Sequence, residues 1–393
     1  MNITEIKEGI HYVGVNDRTK HRFEGLWSLP YGVSYNSYLI TDEKVALIDT
    51  VDAAFAGEFL NNIDRILNGR TIDYLVVNHM EPDHSAAMAT LRLRYPQIQI
   101  VGNTKTLQMI EGFYGITDNT LCIKEGETLS LGGRTLQFFM APMVHWPEVM
   151  VTYCPEQKVL FSADAFGTFG TIDGGILDTQ LSLDHYWDEM TRYYACIVGK
   201  YGKPVQAALK KLGGLQIEMI CSTHGPVWTE QIGHVIGIYD RLSRYQAEPG
   251  VVIAYGSMYG NTEQMAENIA RSLAECGVKR IVMHNLSSAD ISIVLRDIFK
   301  YDTLIVGSPT YNGELFPEVQ SLLDKIAARA IPHRRFAHFG SFCWAGTAVR
   351  QISEFAQKVG WEPLCQPIEM KQGYKSSCDE MCRSLARSVA GQM

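Results

Sequence analysis

The sequence contains nine cysteines, but no two of them have the C-x-x-C spacing. An odd number of scattered cysteines argues against a disulfide framework, and the missing C-x-x-C pairs argue against a rubredoxin-like or zinc-ribbon module. We therefore expect free thiols in a reducing compartment, and the cytoplasm fits this pattern best.

Three further features are missing. No apolar run approaches the ~18 residues that a membrane span needs, and residues 1–15 lack the basic and apolar regions of a secretory signal. The formal net charge of −8 provides no general attraction to nucleic acid or to an anionic membrane. These absences predict a protein with neither a membrane nor a nucleic-acid partner.

The composition is that of a packed globular protein, with 46% hydrophobic and 20% charged residues. A chain of 393 residues is too long for one ordinary core, so two domains are expected. The polar segment 244–250 contains Pro249-Gly250 and precedes the apolar run 251–255. This pattern predicts one domain over residues 1–248 and a second over residues 249–393.

The two parts have different patterns of strands and helices. The first contains many short strand-like runs with some helical segments between them, which predicts layered sheets covered by helices. The second alternates strands and helices regularly, and its last strand is predicted at 364–368. That alternation predicts a doubly wound, five-stranded parallel sheet.

Four metal-ligand side chains follow the strand-like run 74–77. They are His79, Glu81, Asp83 and His84, in an H-x-E-x-D-H pattern. Irregular backbone at the carboxyl end of a strand can direct alternate side chains at one point, and open α/β sheets place their sites at that edge. Imidazole and carboxylate groups at this density match metal-ligand chemistry.

His145, Asp164 and His224 occur in the same context. Each follows an apolar strand-like run and a small or turn residue. This repetition predicts that the three side chains join the first four in one metal centre.

The order H-x-E-x-D-H, His, Asp, His resembles the metallo-β-lactamase fold. Hydrolases of that fold usually carry a histidine at the position of Glu81, and glutamate there is typical of the flavodiiron proteins. The resemblance implies an N-terminal metallo-β-lactamase-like αββα sandwich that holds two irons. Hard oxygen donors suit iron better than they suit a nitrogen-rich zinc site.

The same resemblance implies a role for each ligand. One iron is bound by His79, Glu81 and His145, the other by Asp83 and His224, and Asp164 bridges them. The counterpart of His84 is a ligand in only some members of the family. Open positions on both metals receive a diatomic substrate.

A loop and a helix follow the first strand of the second part. The loop carries the pattern Ser-x-x-Gly-Asn-Thr, and its N–H groups, hydroxyls and helix dipole suit a phosphate. Neither G-x-G-x-x-G nor G-x-x-x-x-G-K-[ST] is present, so neither a dinucleotide nor a nucleoside triphosphate is indicated. The pattern resembles the phosphate loop of flavodoxins, and two further loops follow the third and fourth strands. The resemblance implies the flavodoxin strand order 2-1-3-4-5, with all three loops at the edge where that order reverses.

The sequence therefore predicts an FMN site built from these three loops. The predicted FMN-binding residues are Ser257, Met258, Tyr259, Gly260, Asn261 and Thr262 in the first loop, Ser308, Pro309, Thr310, Tyr311, Asn312 and Gly313 in the second, and Phe342, Cys343, Trp344, Ala345 and Gly346 in the third.

The two predicted sites are chemically complementary. Reduction of dioxygen to water takes four electrons, and a reduced flavin and a di-iron(II) site hold two each. The resemblance implies an oxygen or nitric oxide reductase with an external donor such as rubredoxin or a reduced deazaflavin. It also implies a head-to-tail homodimer, or a dimer of dimers, that places the flavin of one subunit beside the irons of the other.

Residues 23–27 read Phe-Glu-Gly-Leu-Trp, which departs from the His-Gly-Tyr type near the substrate pocket of some relatives. A preference for oxygen or nitric oxide therefore cannot be predicted. Two alternatives remain open: a zinc-dependent hydrolase fused to a flavodoxin module, and a non-catalytic redox carrier or sensor. Glu81 and the three flavin loops argue against the first, and the complete ligand set argues against the second.

Overall fold

A computed structural model describes residues 4–393, which form two compact units that divide between Ser243 and Arg244. The first strand of the second unit begins at Glu248, earlier than the apolar run suggests, because Pro249 and Gly250 lie in an irregularity of its pairing between Glu248 and Val251. Such a bulge tolerates a proline within a strand.

The first unit contains sixteen strands and seven α-helices among its described residues. The strands are β1 (Thr4–Lys7), β2 (Ile10–Tyr12), β3 (Val15–Asp17), β4 (Arg22–Phe23), β5 (Trp27–Ser28), β6 (Val33–Tyr35), β7 (Tyr38–Thr41), β8 (Val45–Ile48), β9 (Tyr74–Val76), β10 (Gln99–Gly102), β11 (Thr120–Cys122), β12 (Thr128–Ser130), β13 (Thr135–Met140), β14 (Met150–Cys154), β15 (Val159–Phe161) and β16 (Met219–Cys221). The helices are α1 (Ala56–Leu67), α2 (Pro82–Ser85), α3 (Met88–Arg94), α4 (Thr104–Tyr114), α5 (Asp184–Tyr193), α6 (Gly202–Leu212) and α7 (Ile232–Ser243), with short 3-10 turns at Ala53–Phe55 and Asp178–Gln180 and a π-helical turn at Tyr194–Val198.

Two sheets form the centre of this unit. One has the order β1-β2-β7-β8-β9-β10-β11, and the other has the order β12-β13-β14-β15-β16. Their facing side chains share one core, in which Ile48 and Val76 of the first sheet lie with Phe138 and Phe161 of the second. Helices pack outside them, so the predicted αββα sandwich is confirmed.

The strand directions bring the candidate loops together. Strand β14 runs antiparallel to both β13 and β15, and β16 runs parallel to β15. Strands β13, β15 and β16 therefore point the same way, and their carboxyl ends lie along one edge. The loops that follow these three strands carry His145, Asp164 and His224.

The second unit is a parallel sheet in the order β18-β17-β19-β21-β22, with the short β20 paired to β19. Its strands are β17 (Glu248–Tyr255), β18 (Ile281–Asn285), β19 (Tyr301–Tyr311), β20 (Glu314–Leu315), β21 (Arg335–Phe342) and β22 (Ile368–Lys371). Its helices are α8 (Asn261–Glu275), α9 (Ile291–Lys300), α10 (Pro317–Ala328), α11 (Ala348–Val359) and α12 (Ser377–Ala390). The predicted order and the doubly wound sheet are confirmed.

The fifth strand was predicted too early, at 364–368. Leu364 makes one backbone hydrogen bond, to the carbonyl of Phe336. Pro367 then interrupts the ladder because proline has no N–H to donate. The continuous pairing with β21 begins only at Ile368.

One core of the second unit lies between the sheet and helices α8 and α12, which also contact each other. Ile253 and Ile305 of the central strands pack there with Ile269 and Leu385 of these helices. Within residues 4–393, none of the helices combines the length and hydrophobicity that crossing a membrane requires.

Candidate metal centre and cofactor pocket

The seven predicted metal ligands converge at one edge of the first unit. All of them are less than a tenth exposed, and they are His79, Glu81, Asp83, His84, His145, Asp164 and His224. Residues of these types are almost never buried without partners. Their convergence therefore indicates a site.

The loop after β9 is shaped by a buried carboxylate. Asp49 Oδ1 accepts hydrogen bonds from the N–H of Asn78 at 2.8 Å and of His79 at 3.4 Å. Pro82 then begins the one-turn helix α2, for which its fixed φ is suited, and His84 leaves helical geometry with φ −135°. These constraints hold the four ligands of this loop.

One group of ligands surrounds Oδ2 of Asp164. This oxygen lies 3.1 Å from His145 Nε2 and 3.7 Å from His79 Nε2. Glu81 Oε2 lies 3.1 Å and 3.6 Å from the same two nitrogens. The four side chains can therefore surround one cation.

A second group surrounds the other oxygen of the same carboxylate. Asp164 Oδ1 lies 3.3 Å from His84 Nε2 and 3.5 Å from His224 Nε2. Asp83 contributes an oxygen 3.3 Å from His224 Nε2 and another 3.7 Å from His84 Nε2. Asp164 thus presents one oxygen to each group, as a bridging carboxylate does.

The donor atoms fit two metal ions. Several of them are buried and have no hydrogen-bond partner in the described part of the chain: the Nε2 atoms of His79, His84 and His224 and both carboxylate oxygens of Asp83. Leaving such atoms buried and unpaired is costly unless a cation takes them up. Three carboxylates among the donors favour iron over the nitrogen-rich zinc sites of hydrolases.

The electrostatics of the cluster favour positive charge. Burial alone lowers the pKa of His145, but hydrogen bonds to Asp164 and Glu81 outweigh it and raise this pKa to about 10. Burial likewise lowers the pKa of His84, but the charges of Asp83 and Asp164 outweigh burial and raise this pKa to about 10. Burial alone would raise the pKa of Asp164, but His84 and His145 hold that pKa well below its usual value. The carboxylates thus retain cations, as a metal centre requires.

Outer hydrogen bonds orient the imidazoles. His79 Nδ1 lies 2.7 Å from Glu148 Oε1, which also accepts from the N–H of Met80 at 3.0 Å, and His224 Nδ1 lies 2.7 Å from the carbonyl of Ser34. These acceptors assign the proton to Nδ1 and leave Nε2 free to bind a metal.

The sequence analysis missed three of the residues that support this cluster. Thr223 donates a hydrogen bond to Asp164, and Asp49 and Ser34 act as described above. Asp49 and Ser34 are distant in sequence from the ligands that they hold, so no local spacing identifies them. Thr223 adjoins His224, and that adjacency was the only available signal.

We predict that Glu148→Ala weakens iron binding about 10–100-fold, the usual effect of losing an outer partner of a metal-bound histidine. The change leaves His79 Nδ1 and the N–H of Met80 without their shared acceptor. Competition with a ferrous chelator measures it. Glu125→Ala is the matched control because Glu125 is exposed and pairs with Lys211. Equal iron retention in both variants would contradict the prediction.

Aromatic rings enclose the cluster. Trp146, the neighbour of His145, lies with its ring centre 5.2 Å from that of His79 and 6.1 Å from that of His145. The ring centres of Phe23, in β4, and of Tyr193, in α5, lie 5.5 Å and 5.6 Å from that of His224. These walls keep the ligands dry.

A cavity of about 510 Å³ lies at the carboxyl ends of β17, β19 and β21, and its size is typical of a cofactor pocket. Among the described residues that line it there is no Asp, Glu, His, Lys or Arg. The lining residues are Ser257, Met258, Tyr259, Asn261, Thr262, Pro309, Thr310, Tyr311, Asn312, Gly313, Ser341, Phe342, Cys343, Trp344, Ala345, Gln372 and Gly373. A phosphate here must be held by N–H and hydroxyl groups.

The loop after β17 has the geometry of a phosphate cradle. Gly260 caps helix α8 with φ +82°, and its N–H donates to Ser257 Oγ at 3.2 Å. The hydroxyls of Thr262 and Ser341 lie 2.9 Å apart beside this helix N-terminus, which favours an anion. At the rim, Tyr259 and Trp344 are 90% and 85% exposed and are suited to cover a planar ring.

Three predicted residues do not line the cavity. Gly260 shapes the loop through its backbone, and Ser308 is fully buried, where its hydroxyl accepts from the N–H of Phe316. A side chain on Gly346 would meet Glu369 at 2.7 Å, so this glycine allows close packing beside the cavity.

Three lining residues were not predicted: Ser341 at the end of β21, and Gln372 and Gly373 after β22. The N–H of Gln372 donates to the carbonyl of Phe342 at 2.7 Å, and the N–H of Tyr374 donates to Asn261 Oδ1 at 3.0 Å. This turn therefore joins the first and third loops. Placing the fifth strand too early concealed it.

The comparisons with known proteins agree with this architecture. Residues 33–225 match the family model described as ODP family beta lactamase, and residues 253–385 match the flavodoxin model. The first unit is thus metallo-β-lactamase-like, and the second is flavodoxin-like.

The chain is 32% identical over 395 residues to the anaerobic nitric oxide reductase flavorubredoxin of Escherichia coli, covering 98% of this chain and 82% of that protein. The structure of rubredoxin oxygen:oxidoreductase from Desulfovibrio gigas superposes with a TM-score of 0.95 at 31% identity, covering 100% of this chain and 98% of that one. The flavodiiron protein of Giardia intestinalis follows, with a TM-score of 0.94 at 28% identity and coverage of 100% and 97%. This chain belongs to the flavodiiron protein family.

Proposed function

We propose that this protein reduces dioxygen to water, nitric oxide to nitrous oxide, or both, at a non-haem di-iron site that receives electrons through FMN. The observation that carries the proposal is the position of Asp164, whose two oxygens face two separate groups of buried ligands. The relatives whose names include nitric oxide reductase and oxygen:oxidoreductase support it.

We assign one iron to His79, Glu81 and His145, and the other to Asp83 and His224, with Asp164 bridging them. When bound, the irons supply two electrons and open positions for a diatomic gas, and a reduced FMN supplies two more electrons. Burial and the aromatic walls exclude water, while Glu148 holds His79 in the tautomer that presents Nε2.

We also assign His84 to the second group. Its Nε2 lies 3.3 Å from Asp164 Oδ1, and neither of its ring nitrogens has a hydrogen-bond partner in residues 4–393. A buried imidazole without partners is otherwise costly, and coordination satisfies it.

The second unit holds FMN in the pocket between its three predicted loops and the Gln372–Gly373 turn. The N-terminus of α8, with Ser257 and Thr262, binds the phosphate, and the exposed rings of Tyr259 and Trp344 lie where an isoalloxazine ring can stack. Uncharged loop groups suit the monophosphate because the helix dipole supplies the attraction.

Electrons come from an external donor, for which we propose rubredoxin or a reduced deazaflavin. The name of the Desulfovibrio gigas relative supports rubredoxin. A head-to-tail homodimer, alone or paired as a dimer of dimers, would bring the flavin and the irons of different subunits together. The free cysteines support a cytoplasmic location.

The test is to purify the protein without oxygen, to measure metals and flavin, and to mix the reduced protein with oxygen and with nitric oxide. We expect two irons and one FMN per chain and rapid reoxidation, and the faster gas is then the leading substrate. Zinc in place of iron, or a reduced flavin that reacts with neither gas, would refute the proposal.

A further inference from the structure

A small apolar cavity lies under the two loops that carry His145 and Asp164. Ten of its twelve lining residues are alanine, valine, leucine or phenylalanine, and they come from the ends of the second sheet, helix α6 and helix α7. The cavity offers about 20 Å³ to the centre of a water-sized molecule. A cavity needs roughly 10–15 Å³ to hold one water molecule, so a molecule of about that size has room here.

Two residues that line the cavity are sequence neighbours of proposed metal ligands. Val144 lines it and is the neighbour of His145, and Ala165 lines it and is the neighbour of Asp164. At the other end, Ala208 and Leu209 of α6 are only partly buried. The cavity therefore lies between helix α6 and the loops that carry two proposed ligands.

Water is a poor occupant of this space. Only two lining side chains carry a hydroxyl, and that of Ser162 already donates to the carbonyl of Ala165 at 2.7 Å. A water molecule needs two to four polar partners, and Tyr239 offers at most one. Cavities lined by apolar side chains stay dry, and larger ones than this take up xenon.

We propose that this cavity is a docking site for an apolar diatomic gas on its way to the metal centre. The inference rests on the proposed function, whose substrates are small, uncharged and without strong hydrogen-bonding groups. Transfer of such a molecule from water to an apolar cavity is favourable in free energy. The cavity therefore raises the local concentration of the gas behind His145 and Asp164.

The first measurement is krypton occupancy, because krypton is an apolar probe that takes part in no redox chemistry. Crystals of the protein with its metals and flavin are pressurised with the gas. We expect krypton in the cavity of the wild type and none in Ala208→Leu, whose larger side chain fills the space. If Ala208→Leu does not fold, Val205→Leu replaces it, because Val205 lines the same cavity from the same helix and this substitution adds less volume.

The second measurement is the rate at which limiting oxygen or nitric oxide reoxidises the reduced protein. We expect Ala208→Leu to slow it several-fold with unchanged iron, FMN and turnover at saturating gas. Ala207→Leu is the matched control because Ala207 is the exposed neighbour on the same helix. A wild type without krypton, or an Ala208→Leu variant that excludes krypton yet reacts at the wild-type rate, overturns the proposal. A wild type that binds krypton but reduces neither gas overturns the proposed function instead.

Discussion

Asp164→Ala should remove most of the iron and lower gas reduction more than about 100-fold, beyond the 10–100-fold loss typical of outer-partner mutations. The reason is that this one carboxylate faces both ligand groups, with distances of 3.1 Å to His145 Nε2 and 3.3 Å to His84 Nε2. Without it, each group loses a charged ligand, and imidazoles are left facing one another with less negative charge between them. The FMN content should be unchanged.

Iron and FMN per chain, together with the rate of gas reduction, check this prediction. Asp173→Ala is the control, because Asp173 is exposed and pairs with Arg18 at 2.6 Å. Full iron and full turnover in Asp164→Ala would show that the ligand assignment is wrong. Equal loss of iron and flavin would indicate misfolding, which the thermal unfolding profile of the variant can establish.

Gly260→Val should abolish FMN binding and spare the iron. Gly260 has φ +82°, and a β-branched residue there is strained by about 1–2 kcal/mol or relaxes by moving the loop. Either response displaces the N–H groups at the start of α8 that we propose to hold the phosphate. We expect FMN affinity to fall by more than about 100-fold, or about 2.7 kcal/mol, measured by flavin titration of the apoprotein.

Gly277→Val provides a control at the other end of the same helix. Gly277 has φ +91°, and a side chain at either glycine would meet no atom within 4 Å. The two substitutions therefore impose similar backbone strain, but only the first lies in the phosphate loop. If Gly277→Val lost FMN to the same extent, general destabilisation would explain both results, and the phosphate-loop assignment would lose its support.

The convergence of the proposed metal ligands was predictable because each one follows an apolar strand. Strand direction alone decides that residues after β13, β15 and β16 emerge at the same edge, so residue type and order were enough to propose His145, Asp164 and His224. The alternation of strands and helices in the second unit likewise predicted the doubly wound parallel sheet. The error in the fifth strand arose because apolar residues before Pro367 resemble a strand, although their backbone is not paired as one.

The sequence by itself determined the doubly wound architecture, the strand ends that carry the candidate ligands and the loops around the cofactor pocket, because hydrophobic period is a local property. The αββα sandwich was implied by the resemblance of the ligand motif, not by that period. Only the tertiary structure decided which oxygen of Asp164 faces which histidines, that Asp49 and Glu148 hold the first ligand loop, and that the turn at Gln372 closes the pocket. It also created the apolar cavity beneath His145 and Asp164. These features depend on contacts between distant segments, which no local pattern encodes.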